Sequence, residues 1–155
     1  MPRPARFPAP SRALVATLVL LALFTAGCTS DPEILVNRTL DAREEAMAKL
    51  DVDKYVSLFH PDYQYAEGET ETVASATRKR FAKYTTIILR TTDRRIILEH
   101  NGKIARVIQD YEMQAHLKNG KVLKLSGQDH FLLKRKSNLF GLLGTEYLFY
   151  QGVGV

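Results

Sequence analysis

Two turns, Asn101-Gly102 and Lys118-Asn119-Gly120, constrain this chain more than any other feature, because each fixes the register of the strands it joins. Apolar and polar residues alternate over 94–100, 104–117 and 122–133, which predicts three long strands. Asn-Gly suits a two-residue loop of the primed type, so His100 faces Lys103. Leu98 then meets Ala105, Ile96 meets Val107, and Arg94 meets Gln109. The second turn suits a three-residue loop with Gly120 left-handed, so Leu117 faces Lys121. Ala115 then meets Leu123, Met113 meets Leu125, Tyr111 meets Gly127, and Gln109 meets Asp129. A two-residue loop would set Ala115 opposite Lys124 and mix the two faces.

With these registers both hairpins agree on one apolar face: Ile96, Leu98, Ala105, Val107, Tyr111, Met113, Ala115, Leu123, Leu125, Phe131 and Leu133. Arg95, Glu99, Arg106, Asp110, Glu112, Gln114, His116, Lys124 and Gln128 take the other. Arg94, Gln109 and Asp129 break the apolar face as a row across three strands. A carboxylate inside a core is costly unless paired. In one reading Asp129 is a general acid or base, or anchors a polar ligand. In the other, Arg94 and Asp129 bridge through Gln109 and close one end of the core, as ion-pair networks do without catalysis.

Ahead of the strands the period is helical. Asp31-Pro32-Glu33 combines an N-cap, a proline at the first helical position and an acid in the first turn, and opens a helix over 32–50. Val36, Leu40, Met47 and Leu50 form its apolar stripe. Asp51 caps a short helix over 52–59 that Pro61 ends. Residues 63–65 alternate as a short strand, Glu67-Gly68-Glu69 turns, and 70–72 returns. A third helix covers 73–85, with Arg78, Lys79, Arg80 and Lys83 as a solvated basic face. Leu139-Phe140-Gly141-Leu142-Leu143-Gly144 reads as an apolar lid ahead of a last strand over 145–153.

The N-terminal segment has a different character. Arg3, Arg6 and Arg12 precede an uncharged apolar run over 14–24, and Thr25-Ala26-Gly27 leads to Cys28, the single cysteine. These are the parts of a secretory signal, and the run is shorter than the roughly 20 residues a spanning helix needs. Cys28 after small residues resembles the lipobox of bacterial lipoproteins, with Thr25 where Leu is usual. The resemblance implies cleavage before Cys28, acylation of that residue, and a membrane-anchored envelope protein. Thr29, rather than Asp, follows Cys28 and implies an outer-membrane location facing the periplasm in a Gram-negative source. Removing 27 of 155 residues leaves 128, enough for one core over 32–155, with 28–31 as a short linker. Removing three of 22 basic residues leaves 19 against 17 acids, a net +2, which argues against a nucleic-acid partner. With Cys28 acylated no thiol is left for a disulfide or a nucleophile. The spacing of His60, His100, His116 and His130 does not suit a metal. No cofactor motif is present.

Helix, short helix, His60-Pro61-Asp62-Tyr63, third helix and long antiparallel strands, in that order, resemble the nuclear transport factor 2-like, or SnoaL-like, superfamily. Residues 53–65 and the stretch from Gly102-Lys103-Ile104-Ala105-Arg106-Val107 to Asp110-Tyr111-Glu112 carry the likeness. It implies an α+β fold of the cystatin-like roll type, a cone-shaped curved antiparallel sheet wrapped around three N-terminal helices, with a pocket inside. Such pockets serve isomerases, dehydratases, hydrolases and plain binding modules, so the fold leaves activity open. The resemblance implies Tyr63, Tyr111 and His60 as companions of Arg94, Gln109 and Asp129 in ligand binding, and dimers through the outer sheet face. The favoured expectation is a non-catalytic module for a small apolar ligand or an envelope protein. The alternatives are a lyase or isomerase using Asp129, and a structural subunit of an envelope complex.

Overall fold

The computed structural model describes residues 31–64, 71–137 and 144–152. Three helices, α1 (Pro32–Lys49), α2 (Val52–Ser57) and α3 (Val73–Phe81), precede four strands, β1 (Tyr84–Glu99), β2 (Ile104–Leu117), β3 (Val122–Ser137) and β4 (Thr145–Gln151). The strands form one antiparallel sheet in sequence order. The signal segment, Cys28, Tyr65, the turn at Glu67-Gly68-Glu69, Thr70, residues 139–143 of the apolar loop and Val153 lie outside the described residues.

Each helix begins where its capping chemistry dictates. The Asp31 carboxylate accepts from the Glu33 amide at 2.9 Å, and Asp51 accepts from the Lys54 amide at 2.9 Å. Leu50 adopts the left-handed conformation and stops α1, so α2 turns back at once. Thr72 caps α3 through the Ser75 amide instead of pairing as a return strand. α3 ends at Phe81 rather than reaching residue 85; the β-branched run from Thr85 to Ile88 belongs to β1. Residues 63 and 64 are not in a strand. Pro61 has no amide proton to sustain a ladder. The segment still follows β4: the Phe149 amide donates to Leu58, the Phe149 carbonyl accepts from His60, and the Gln64 amide donates to Tyr150.

The two hairpins have the registers the turns predict, from Leu98↔Ala105 and Ile96↔Val107 through Gln109↔Asp129 to Ala115↔Leu123. β1 departs from a regular register twice, between Tyr84 and Thr86 and between Thr92 and Arg95. Thr92 pairs with Asp110 and Arg95 with Ile108, so Asp93 and Arg94 together oppose Gln109. Asp93, at φ 48°, is the residue that bends the strand. This bulge exchanges the faces of β1: Ile96 points inward on one side of it, and Ile87, Leu89 and Thr91 point inward on the other.

α1 lies across the concave face, and its Val36, Leu40, Ala46 and Met47 pack with Val107, Phe131, Leu133, Tyr147 and Phe149. It runs antiparallel to β1, since Asn37 reaches Arg94 and the later Glu44 reaches Thr91. The helices leave the sheet's extremities uncovered. Leu98 and Leu125, on the face expected to be buried, are 39% and 46% exposed.

Candidate functional site

The row of polar residues on the inner face is continuous. Arg94 Nε donates to Gln109 Oε1 at 3.0 Å, and Gln109 Nε2 donates to Asp129 Oδ2 at 3.4 Å. Gln109 is 1% exposed, so its amide links the two charged residues out of water. The bulge is what makes this reach available. It puts Arg94 beside, rather than squarely opposite, Gln109 and turns its guanidinium toward α1.

There Arg94 is saturated. Its Nη1 donates to Asn37 Oδ1 at 2.8 Å and Asp41 Oδ1 at 3.0 Å. Its Nη2 donates to Glu44 Oε1 at 3.0 Å and Thr91 Oγ1 at 3.2 Å. Thr91 in turn donates to Glu44 at 2.6 Å. The planar fork of an arginine meets several acceptors at once in a way a lysine does not.

Asp129 is paired with Arg43 rather than Arg94. Arg43 Nη1 lies 3.3 Å from Asp129 Oδ2, and the guanidinium sits 4.8 Å from the centre of the Phe131 ring. Arg43 is 8% exposed, and its Nε has no hydrogen-bond partner among the described residues. Sequence reasoning missed this residue, although a signal was present. Leu40, Arg43, Met47 and Leu50 recur at helical spacing, so Arg43 occupies a core slot of the apolar stripe. A charge in such a slot calls for a counter-charge on the facing sheet, and Asp129 is there.

Tyr111 and Tyr63 are not drawn into this network. The Tyr111 ring lies across β3 and covers Gly127, where a Cβ would sit 3.3 Å from it. Tyr63 stacks edge-on against Phe59 at 5.0 Å. Phe59 meets Phe149 at 5.6 Å, and Phe149 meets Phe131 at 5.3 Å, so three rings stand between Tyr63 and Arg43. His60 is also apart. Its Nδ1 accepts from the Asp62 amide at 3.1 Å, and burial followed by the charge of Lys134 lowers its pKa below 6.5. The 3.7 Å approach of Asp62 Oδ2 is therefore that of a carboxylate to a neutral imidazole. That carboxylate is held by Lys134 at 2.8 Å, which keeps it ionised below its usual range.

Chemically, the row holds two arginines against Asp41, Glu44 and Asp129, with each cation bonded to an acid. Surface pockets among the described residues lie elsewhere. One is a cavity of about 410 Å³ along Ile88, Arg90, Glu112 and Lys124, and another, of about 370 Å³, lies between α1 and β4. Neither is lined by Arg94, Gln109 or Asp129. No group of acids, histidines and cysteines among the described residues could hold a metal, and no described helix is long and apolar enough to cross a membrane.

No family model matches the sequence, and no curated relative matches it. Solved structures do. A conserved protein from Planctomyces limnophilus superposes with a TM-score of 0.60 at 18% identity, covering 76% of this chain and 90% of that one. A nuclear transport factor 2-like superfamily protein from Salmonella enterica serovar Typhimurium gives 0.55 at 16% identity, over 79% and 92%. A type 2 hexachlorocyclohexane dehydrochlorinase gives 0.57 at 10% identity, over 75% and 80%. The chain has the nuclear transport factor 2-like fold: three helices and a curled four-stranded antiparallel sheet.

Proposed function

We propose that this is a lipid-anchored envelope protein whose domain is a non-catalytic binding module for another envelope protein. One observation carries the non-catalytic part. Every charged group of the inner row has a partner inside the protein, Asp129 with Arg43 and Arg94 with Asp41 and Glu44. An acid or base at work in a pocket needs reach to a substrate proton. Here the available reach is used by α1. Binding then falls to the surface. The anchor rests on the basic, apolar and small-residue order ahead of Cys28, and two or more acyl chains hold far better than one.

The fold is shared with a dehydrochlorinase, so the competing reading is a lyase with Asp129 as its acid or base. Asp129→Asn separates the two. In a binding module the variant melts lower and keeps its partner when folded. In an enzyme the folded variant loses turnover. Turnover by the wild-type protein that Asp129→Asn abolishes without unfolding sinks the binding reading. The anchor is tested on its own by Cys28→Ser, which should leave the protein unprocessed and without fatty-acid label. A labelled Cys28→Ser protein refutes the anchor.

A further inference from the structure

We propose that the end of the domain opposite the start of α1 is a docking surface for an acidic segment of a protein partner. The charges there come from two places that the fold joins. Arg78, Lys79, Arg80 and Lys83 lie at the end of α3 and just beyond it. Lys118 and Lys121 flank the β2–β3 turn. The Lys118 amide donates to the Lys83 carbonyl at 3.0 Å, and Tyr84 pairs with Leu117, so both groups share one pole. Arg78, Lys83, Lys118 and Lys121 are exposed and make no ion pair among the described residues. Lys79 is held by Glu71 at 2.7 Å. Asp51 and Asp53 lie at the start of α2, and Asp51 caps its helix.

The position of this pole decides among partners. α1 starts beside the 100–103 hairpin end of the sheet: Thr39 Oγ1 donates to the Tyr147 carbonyl at 2.6 Å, and the Tyr147 hydroxyl donates to Gly102. From there α1 runs 18 residues, about 27 Å, toward the basic pole. Three residue steps separate Cys28 from Asp31, a tether of at most about 11 Å. If Cys28 is the anchor, as proposed above, the basic pole is the end opposite the tether. With α1 upright on the bilayer the separation exceeds a screening length of about 8 Å, which favours a protein over those headgroups as the ligand. Beside Lys121, Val122 is 48% exposed, which gives an apolar contact among the lysines and suits a peptide with mixed acidic and apolar side chains.

The test uses the purified protein in nanodiscs, or in solution if it carries no lipid. A fluorescein-labelled peptide of alternating Glu and Leu is titrated at low and at physiological salt. Lys83→Glu/Lys118→Glu/Lys121→Glu should weaken binding by about tenfold or more, as charge reversal at a complementary interface does. Lys103→Glu/Arg135→Glu, at the opposite hairpin, should leave it unchanged. Lys121→Glu alone, with amide shifts mapped on the wild type, covers the case of a triple variant that does not fold. Shifts confined to 78–83 and 118–122 support the surface. Absent binding, equal loss in both charge-reversed proteins, or binding to phosphatidylglycerol-rich vesicles but not to peptide overturns it. A failed anchor shows up separately as a soluble protein, with the peptide result still readable.

Discussion

Asp129→Ala should destabilise the protein through the arginine it leaves behind. The side chains of Arg43 and Asp129 are 10% and 16% exposed, and Asp129 is the one counter-charge Arg43 has among the described residues. Removing one member of a buried ion pair costs roughly 3–5 kcal/mol. Two features reduce that here. The contact is a single long one at 3.3 Å, and the guanidinium keeps its place over Phe131. We predict a loss of about 2–3 kcal/mol. With a urea m-value of about 1–3 kcal/mol/M, that moves the unfolding midpoint down by about 0.7–3 M. The Arg43→Met/Asp129→Ala double variant removes both charges and fills the slot with an apolar chain. It should recover part of the loss, giving a coupling of about 1–2 kcal/mol in the mutant cycle. A loss under about 0.5 kcal/mol for Asp129→Ala, or strict additivity in the cycle, would refute the pairing argument.

Three further outcomes can be read by denaturation. Gly152→Ala should lower stability by at least about 1–2 kcal/mol, because Gly152 sits at φ 92° and a Cβ there would overlap the His130 carbonyl oxygen; an unchanged urea midpoint contradicts this. Tyr147→Phe should cost about 1–1.5 kcal/mol, since the fully buried Tyr147 hydroxyl donates to the Gly102 carbonyl within the β1–β2 turn; a neutral substitution would mean that bond contributes nothing net. Stability should fall as pH drops below His60's ordinary value of 6.5. The folded pKa lies lower, so the unfolded chain binds more protons in that window and stability rises with pH. His60→Gln should flatten the melting-temperature profile between pH 5 and pH 7.5, and an equally steep profile in the variant rules His60 out as its source.

How much of this was legible in the chain depended on range. Turn chemistry acts over a few residues, so Asn101-Gly102 and Gly120 carried both registers correctly to Gln109 and Asp129. The N-caps Asp31 and Asp51 acted as locally. The bulge at Asp93 did not show as a turn. It shows only as a change of parity, with Ile87 and Leu89 inward at odd positions and Ile96 inward at an even one. Without it, the residues before Arg94 would be placed on the wrong face. Arg43 is a harder case. Its partner is 86 positions away, so its role follows only once α1 is laid on the sheet. The three rings between Tyr63 and Arg43 were hidden for the same reason.

The placement of α1 suggests what the arginines contribute beyond energy. Hydrophobic contact alone would let a helix slide along a sheet by a turn with little penalty. Asn37, Asp41 and Glu44 lie at i, i+4 and i+7 on α1, and all three bond to Arg94. A slip by one turn would take Asn37 or Glu44 out of reach and leave the guanidinium short of an acceptor. Buried polar groups fix register in some proteins at little or no gain in stability. We predict the same here. The triple variant Arg94→Met/Glu44→Met/Gln109→Met should change unfolding free energy by under about 1 kcal/mol, because apolar chains replace both sides of a network that was expensive to desolvate. Arg94→Met alone would strand Glu44 and Gln109. The triple variant should nonetheless lower amide-exchange protection along α1 and broaden the α1 resonances, as the helix samples a neighbouring seat. Unchanged protection in α1 would show that packing alone seats the helix. The row would then be a means of tolerating the buried Arg43 and the half-buried Arg94, with no part in placing α1.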